Sequence, residues 1–410
     1  KRLQVLSPGP KRVKWSSVIS EEEDFERAVK ECVERTRAEL KFQPDLAAVF
    51  VSPHYSRNYP RVPTQIYDAL KPRLMLGCSA GGVIGGGREV EQKPSISITA
   101  ARLPDVELQS FYINNDDLPD EDARPKAWHD LLGTAPDKNP QFVVLGDPFS
   151  MDVEQFVMGL DYAFPKSAKV GGLASGASSP GENALFLNQH VHRKGLIGAV
   201  LTGNIQIDSI VAQGCRPIGE PLVVTECQEN VLMGLDNKPP MKLLEELYET
   251  LTPRDQQLLR TSLFLGVVMD ASKTSFGQGD FLIRNIIGAD PEKGILAIGS
   301  MMRQGQTVQF HLRDAKTSAD DLDHLLTGYT KNAESRQAQG ALLFSCMGRG
   351  AYLYGSANHD TRMFQKKVGQ IPVGGFFCNG EIGPVNHTTY IHGYTSCFGI
   401  FRENQPQTQV

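Results

Sequence analysis

The chain has 410 residues, of which 40% are apolar and 22% charged, and its formal net charge is −5. This length predicts two or three domains of a globular protein, and the mild acidity, without a dense Lys/Arg tract, excludes a general nucleic-acid-binding surface. No stretch approaches the roughly 18 consecutive apolar residues of a membrane-spanning helix, so membrane association is expected only peripherally, through a partner.

The cysteines and the first residue bear on the compartment. Seven cysteines are scattered along the chain without a CxxC pair, and no HExxH motif is present. An odd number of unclustered cysteines indicates a reducing compartment, with neither a disulfide framework nor a metal site. The sequence begins with Lys1 rather than Met, which a removed targeting peptide would explain.

Residues 1–44 are expected to form an extended lead-in followed by a helix. Ser20 with Glu23 three residues later resembles a capping box, which predicts that the helix begins at Ser20. Apolar residues then recur at helical spacing, so one face of the helix should be buried. These residues are Phe25, Val29, Cys32, Val33 and Leu40.

Three stretches of the chain repeat one pattern, in which a helical segment separates two apolar strands. Such a βαβ unit places its two strands parallel, and three units on one chain indicate internal duplication. A third apolar strand follows each unit. The strand pairs are AAVFVS (47–52) with LMLGCSAGG (74–82), FVVLGD (142–147) with KVGGLASG (169–176), and ALLFSC (341–346) with PVGGFFCNG (372–380).

The pattern changes between the second and third units. The Pro-Pro sequence at 239–240 predicts a helix start, and a second helix is predicted over 318–337 with Ser318 as its cap. Four strand candidates separated by Gly, Asp and Pro turns predict an antiparallel meander. They span 263–270, 281–288, 295–300 and 308–314.

Together these patterns predict an α/β protein of two modules, built from repeated βαβ units with mixed sheets and an antiparallel meander in the C-terminal module. The module boundary is placed near residue 235, where the strand-rich half gives way to the Pro-Pro helix. The N-terminal module then covers 45–235 and the C-terminal module 236–402, with a tail over 403–410.

Polar turns follow both strands of the third unit, SCMGRG (345–350) after the first and NGEIGP (379–384) after the second. Because parallel strands end at one edge of a sheet, where α/β proteins bind ligands, Arg349 and Glu381 are expected to lie close together. The pair is interpreted either as a structural ion pair that fixes two turns or as a ligand clamp. In the clamp, Arg349 holds an anion and Glu381 an amine or hydroxyl.

Generic catalytic signatures are absent, because the sequence contains no GxxxxGK[ST], GxSxG or strand-linked GxGxxG motif. A nearby Arg349 could activate the Cys346 thiol, but no His–Asp or His–Asn set accompanies it, since His359 and His392 are near it only in sequence. An inert buried thiol is the preferred interpretation of Cys346. A redox pair with Cys378 on the adjacent strand remains the alternative, and no catalytic residue is assigned.

Six segments resemble the FIST family, whose name stands for F-box and intracellular signal transduction proteins. The resemblance covers about residues 45–400, with an N-terminal and a C-terminal FIST module. It implies a free-standing member without an F-box, most similar to those of photosynthetic organisms. The segments are QGCRPIGEPLVVTE, LDNKPPMKLLEEL, FLIRNIIGADPEKGILAIGSMMRQGQTVQFHLRDA, LLFSCMGRG, VGGFFCNGEIGP and HGYTS.

The resemblance also implies site residues. Six motif positions are expected to bind a ligand; Gly383 is a further motif position, and His392 and Thr395 are nearby in the sequence. No metal ligand is assigned. The predicted ligand-binding residues are Cys346, Arg349, Gly350, Asn379, Gly380 and Glu381.

The function expected from the resemblance is that of a non-catalytic sensory module for a small molecule, with a signalling or regulatory role. The alternative is a protein-interaction module that assembles or regulates a larger complex, such as a thylakoid or photosystem complex. No cofactor is predicted, although haem with His392 or His311 as ligand is a further alternative, and nucleic acid is not expected as a partner. The expected location is the chloroplast stroma, or otherwise the cytoplasm.

Overall fold

The computed structural model describes residues 13–120, 122–332 and 337–404. Parts of the predicted lead-in, of the helix over 318–337 and of the tail therefore lie outside the described residues. The chain divides into two compact units. The first comprises the described residues up to Val211, Leu325–Ile391 and the residues from Ser396 onward; the second comprises Ala212–His324 and His392–Thr395. The predicted module boundary near residue 235 is a division of the sequence pattern and stays a prediction.

The described residues combine strands and helices throughout the chain, and the fold class is α/β as predicted. In chain order the strands are β1 (Lys14–Ser20), β2 (Leu46–Val51), β3 (Leu74–Ser79), β4 (Gly82–Gly85), β5 (Arg88–Glu91), β6 (Ile96–Arg102), β7 (Val106–Ile113), β8 (Gln141–Gly146), β9 (Lys169–Leu173), β10 (Leu185–Leu187), β11 (His190–His192), β12 (Leu196–Gly203), β13 (Gln206–Gln213), β14 (Cys215–Gln228), β15 (Val231–Leu235), β16 (Leu263–Val268), β17 (Phe281–Asp290), β18 (Ile295–Ile298), β19 (Thr307–Arg313), β20 (Gly340–Cys346), β21 (Val373–Cys378), β22 (Glu381–Val385), β23 (Thr388–His392) and β24 (Thr395–Arg402).

Most helices connect strands of the same repeat, as the βαβ pattern predicts. The α-helices are α1 (Phe25–Leu40), α2 (Asp68–Leu70), α3 (Pro125–Leu132), α4 (Val153–Ala163), α5 (Pro240–Thr250), α6 (Pro253–Leu259), α7 (Ala315–Thr330), α8 (Gly350–Tyr354) and α9 (His359–Lys367). Helix α5 begins at Pro240, as predicted, because a proline at the first helical position loses no intrahelical hydrogen bond.

The three predicted βαβ units are confirmed in the first compact unit. The strand pairs β2–β3, β8–β9 and β20–β21 are all parallel. In each repeat the third strand pairs antiparallel with the first, as β6 does with β2, β12 with β8 and β24 with β20. Each repeat therefore builds a mixed sheet with the same strand order.

The repeats exchange hairpins. After its second strand, each repeat forms a hairpin that joins the sheet of another repeat, so that β4–β5 extends β21, β10–β11 extends β3 and β22–β23 extends β9. The result is three six-stranded sheets with the orders β1-β6-β2-β3-β10-β11, β23-β22-β9-β8-β12-β7 and β13-β24-β20-β21-β4-β5. This cyclic exchange ties the three repeats into one compact unit.

A core of apolar side chains lies between the sheets of the first unit. Phe50 of β2 stacks on Phe376 of β21 with ring centroids 4.7 Å apart, which joins the first and third sheets. Helix α1 covers the outer face of the first sheet with Phe25 and Val29, and α4 covers the second with Phe156. The central strands are covered by helices on one face and by another sheet on the opposite face. Both faces are therefore buried, which explains the nearly continuous apolar runs of these strands.

One glycine recurs at the same place in all three repeats. It lies in the second strand of each repeat, and in all three repeats it is opposite the fourth residue of the first strand. A Cβ atom at this glycine would overlap the backbone carbonyl oxygen of the residue opposite, so only glycine lets the parallel strands approach. The pairs are Gly77 with Val49, Gly171 with Val144 and Gly375 with Leu343.

Replacing Gly171 by Ala is expected to lower the free energy of unfolding by roughly 2 kcal/mol, because β8 and β9 must move apart. Chemical denaturation followed by tryptophan fluorescence measures the change, since Trp15 and Trp128 both lie in the first unit. Gly328→Ala on the exposed side of α7 is the control, because a Cβ there has nothing within 4 Å. Equal stability of the two variants would contradict the steric explanation.

The predicted start of the first helix at Ser20 is wrong. The segment KWSSVIS forms β1, which pairs antiparallel with β6 along its whole length. Helix α1 begins only at Phe25, where the Asp24 carboxylate accepts a hydrogen bond from Arg27 N at 2.9 Å. The β-branched residues Val18 and Ile19 suit a strand, and the long-range pairing with β6 outweighs the local capping pattern.

The predicted cap of the helix over 318–337 is also wrong. Helix α7 begins at Ala315, and Asp314 precedes it. The Asp314 carboxylate accepts a hydrogen bond from Thr317 N at 2.8 Å, which is the contact of an N-cap. Ser318 lies one turn inside the helix and donates its hydroxyl to Gly214 O at 2.9 Å.

The second compact unit is a closed antiparallel barrel with the strand order β14-β15-β18-β17-β16-β19. The predicted meander is confirmed for β16, β17 and β18, which pair in sequence. The fourth predicted strand, β19, instead pairs with β16 and β14 and closes the barrel. Apolar side chains such as Leu265 and Phe310 fill the interior, and α5 packs against it through Leu243 and Leu247.

Candidate functional site

The two strands of the third repeat end at the same edge of their sheet, as predicted. Cys346 at the end of β20 is in register with Cys378 at the end of β21, and Met347 N donates a hydrogen bond to Cys378 O at 3.1 Å. The loops that carry Arg349 and Asn379 therefore leave the sheet side by side. This edge is where an open α/β sheet presents its ligand-binding loops.

The ionic partner of Arg349 is Asp360, not Glu381 as the sequence suggested. Arg349 Nε and Nη2 donate to the two oxygens of Asp360 at 2.8 and 3.2 Å, and Nη2 also donates to the Tyr354 hydroxyl at 2.6 Å. Glu381 begins β22, which turns away to pair with Gly172 of β9. Arg349 therefore forms an ion pair, which was one of its two interpretations. Its partner is the Asp360 carboxylate of α9, a helix between β20 and β21.

Both members of this ion pair are removed from water. Arg349 is 0% exposed and Asp360 is 2% exposed. Burial would raise the pKa of Asp360, but the Arg349 guanidinium outweighs it and holds that pKa well below its usual range. Burial would likewise lower the pKa of Arg349, but the Asp360 carboxylate raises it. The pair is therefore fully ionised across the physiological range.

Further side chains surround the pair. Ser396 Oγ donates to Asp360 Oδ2 at 2.8 Å, and His359 Nδ1 lies 2.9 Å from Asp360 Oδ1. The His359 ring stacks on Tyr354 with centroids 3.5 Å apart, and burial is the main cause that raises the pKa of the Tyr354 hydroxyl. Tyr354 therefore remains a neutral hydrogen-bonding group beside the guanidinium.

The hairpin β4–β5 completes the site with two glutamates. Glu91 Oε1 accepts a hydrogen bond from Ala351 N at 2.8 Å, which caps α8. Glu89 Oε1 accepts one from Thr361 N at 2.8 Å in the first turn of α9. Burial, and next the nearby Asp360 carboxylate, raise the pKa of Glu89 to about 7. The site thus contains one carboxyl group that titrates near neutral pH.

Gly350 is required by the geometry of this site. Its φ is +68°, a region that residues with a Cβ atom rarely adopt. A Cβ atom at Gly350 would also overlap the Glu91 carboxylate. The glycine therefore lets the chain turn directly from Arg349 into α8 while Glu91 caps the helix.

The turn after β21 contacts the second sheet. Asn379 N donates to Leu173 O at 3.1 Å, its Nδ2 donates to Ala174 O at 3.3 Å, and Gly380 O accepts from Leu173 N at 2.9 Å. Asn379 is nevertheless exposed, whereas Glu381 is buried. Of the predicted ligand-binding residues, Arg349, Cys346 and Gly350 thus gather at α8, and Asn379, Gly380 and Glu381 follow the neighbouring strand.

The cysteines at the strand ends are free thiols. Cys346 is partly exposed, and its sulfur accepts a hydrogen bond from Gly348 N at 3.4 Å. Cys378 is buried, and burial raises the pKa of its thiol well above the usual range. A protonated, buried Cys378 is a poor nucleophile, so the register that aligns the two cysteines does not by itself make them a reactive pair.

The histidines considered as haem ligands lie in the second unit and are both buried. His311 Nδ1 lies 3.0 Å from Gln309 O, and burial lowers the pKa of His311 to about 4. Haem binding through His311 or His392 stays a prediction. Within the described ranges, no three or more His, Cys, Asp or Glu side chains form a group suited to a metal ion.

Sequence comparison gives the affiliation of the chain. Residues 45–238 match the model of the FIST N domain, and residues 243–384 match that of the FIST C domain. The chain belongs to the FIST family. FIST domains are associated with signal transduction and small-ligand sensing. The FIST N match spans the first two repeats, and the FIST C match contains most of the barrel and the strand pair of the third repeat.

Two FIST relatives are uncharacterized mycobacterial proteins. One from Mycobacterium tuberculosis strain H37Rv is 34% identical over 387 residues, which are 93% of this chain and 98% of the relative. One from Mycobacterium bovis is 31% identical over 381 residues, 92% and 96% of the two chains. An F-box/LRR-repeat protein of Arabidopsis thaliana is 26% identical over 134 residues, 29% of this chain and 25% of that protein.

Among the helices of the described residues, none has the length and apolar character to cross a membrane. The family membership confirms the predicted resemblance. Four expectations stay predictions: the chloroplast location, the similarity to FIST proteins of photosynthetic organisms, the protein partner and the small-molecule ligand.

Proposed function

We propose that this FIST protein is a non-catalytic sensory module that binds a small molecule at the edge where β20 and β21 end. One observation carries the proposal. Arg349 Nη1 is buried, and no residue in the described part of the chain accepts a hydrogen bond from it. An unsatisfied buried donor costs about 1–3 kcal/mol, so a ligand oxygen that accepts from Nη1 would remove this cost.

The binding residues we propose are those on the two loops. Arg349 supplies the donor, Cys346 and Asn379 supply side chains that solvent reaches, and Glu381 supplies a carboxylate for an amine or hydroxyl group. Gly350 and Gly380 keep the backbone of the loops close to the ligand. Because Asp360 neutralises the guanidinium, the ligand needs only a hydrogen-bond acceptor opposite Nη1, and a full negative charge is not required.

Isothermal titration with a panel of amino acids and other small metabolites tests this function. Arg349→Lys keeps a positive charge beside Asp360 but removes the guanidinium fork, so affinity should fall by about tenfold or more. Arg362→Lys, at an exposed position of α9, is the matched control and should bind as the unmodified protein does. Equal affinity of the Arg349 and Arg362 variants for a bound metabolite would refute the assignment.

A protein-interaction function is the second candidate, favoured by an exposed apolar pair on α4. Met158 is 70% exposed and Tyr162 is 59% exposed, and their spacing of four residues places them on one face of the helix. Neighbouring exposed apolar side chains of this size are typical of protein contacts. The partner in this case would be a larger complex that the protein assembles or regulates.

A further inference from the structure

The barrel unit contains a second buried guanidinium, that of Arg313 at the end of β19. Arg313 is 8% exposed, and its Nε and Nη1 atoms are buried without a hydrogen-bond partner among the described residues. Lys169 and Arg349 are the other lysine or arginine side chains with comparable burial in the described ranges, and each has a carboxylate partner, Asp161 and Asp360. Arg313 is therefore the buried cation that lacks an anion.

Two aromatic rings hold the Arg313 guanidinium in place. Its Cζ atom lies 4.6 Å from the ring centroid of Tyr394 and 5.7 Å from that of Phe264. The two rings contact each other with centroids 4.2 Å apart, and the Tyr394 hydroxyl donates to Asn285 Oδ1. Rings that pack against a guanidinium orient it through cation–π attraction and leave its N–H groups to bind an anion.

The titratable side chains next to Arg313 in the sequence, Asp314 and His311, do not neutralise it. The Asp314 carboxylate accepts hydrogen bonds from Thr317 and pairs with Arg216 at 3.4 Å and Arg254 at 3.7 Å. On the same side of β19 as Arg313, His311 is held neutral because burial lowers its pKa to about 4. Arg313 therefore has no carboxylate partner among the described residues of the barrel.

The conformation of Tyr394 supports a constructed site. Its φ is +64°, a left-handed conformation that is rare and costly for a bulky residue. Gly214 N donates to Tyr394 O at 3.2 Å and helps to hold the loop in this conformation. The strained loop brings the ring of the HGYTS segment against the arginine of the FHLRDA segment, which joins two sequence motifs that are about 80 residues apart.

We propose that Arg313, oriented by Tyr394 and Phe264, is the anion-binding residue of a carboxylate site in the barrel. A carboxylate has one negative charge and two oxygens in a plane, which match a single guanidinium. Phosphate carries more charge than one buried cation neutralises. This site is distinct from that of Arg349 in the first unit. An experiment can therefore refute one of the two proposed sites without refuting the other.

The test uses the full chain and acetate as the probe, with chloride at equal ionic strength and inorganic phosphate as the comparison anions. Acetate should raise the thermal midpoint of the barrel more than chloride or phosphate does. Arg313→Met should reduce the affinity for acetate by about tenfold or more, and should stabilise the acetate-free protein, because it removes an unpaired buried charge. Arg303→Met at an exposed position of the same unit is the control.

Unchanged acetate binding in Arg313→Met, or equal effects of acetate and chloride, would overturn the proposal. Stronger binding of phosphate than of acetate would overturn the carboxylate assignment. If Arg313→Met does not fold, Arg313→Lys is used instead. Lysine keeps the positive charge and the aliphatic chain but lacks the planar guanidinium group. The expected result is weakened acetate binding with an unchanged response to chloride, and full acetate binding by Arg313→Lys would count against the site.

Discussion

Replacing Arg349 by Met is expected to lower the free energy of unfolding of the first unit by about 3–5 kcal/mol. The reason is that Asp360 stays buried and ionised after its guanidinium partner is removed. Ser396 and His359 still contact Asp360, but neither replaces a bidentate cation. Guanidinium denaturation followed by the fluorescence of Trp15 and Trp128 reports on this unit alone, because both tryptophans of the chain lie in it.

Two further variants show whether the loss comes from the unpaired charge. The double variant Arg349→Met/Asp360→Asn should regain at least half of the lost stability, because an amide at residue 360 is neutral and still accepts from Ser396. Arg362 is exposed on α9, the helix that carries Asp360. The stability of Arg362→Met should stay within about 0.5 kcal/mol of that of the unmodified protein. A loss below about 1 kcal/mol in Arg349→Met would contradict the structural role of the ion pair.

Glu89→Gln is expected to stabilise the first unit by about 3 kcal/mol at pH 8 and by only about 1 kcal/mol at pH 5. The pKa of Glu89 rises from an ordinary 4.5 to about 7 in the folded protein, through burial and then the Asp360 charge. The folded state therefore holds this proton more tightly than the unfolded state does. Stability decreases as the pH rises from about 4.5 to about 7, and glutamine removes this loss.

Denaturation at several pH values between 5 and 8 measures this dependence. Glutamine keeps the oxygen that accepts from Thr361 N, so the hydrogen bond to α9 is retained. The charges nearest to Glu89 are those of Asp360 and Glu91, and both disfavour its ionisation. Glu34→Gln, on the exposed face of α1, should leave the pH profile unchanged. Parallel profiles for Glu89→Gln and the unmodified protein would contradict the raised pKa.

The repeats were predictable from the sequence because their signal is local. Strand, helix and strand follow one another within each repeat, and the parallel pairing of β20 with β21 follows from the connection between them. The hairpin exchange was not predictable. Gly375 pairs with Ile84, and Glu381 pairs with Gly172, and no local pattern specifies partners that are more than 200 residues apart in the sequence.

Part of the candidate site was predicted, because that part also follows from local strand order. Strand order placed Arg349 and Asn379 on adjacent loops, because parallel strands end at one edge of a sheet. Asp360 was missed, since an acidic residue in the first turn of a helix already has a local explanation in the helix dipole. Glu89 was missed because only the exchanged hairpin buries it against α9. The raised pKa of Glu89 follows from that burial and has no sequence signature.

Native mass spectrometry of the 410-residue chain, incubated with an extract of small metabolites, tests the sensory function most directly. The expected spectrum has one added small-molecule mass per chain, which is absent from Arg349→Lys and present in Arg362→Lys. A spectrum in which the unmodified chain carries no small molecule, or in which a stoichiometric protein partner takes its place, would contradict the ligand-binding function.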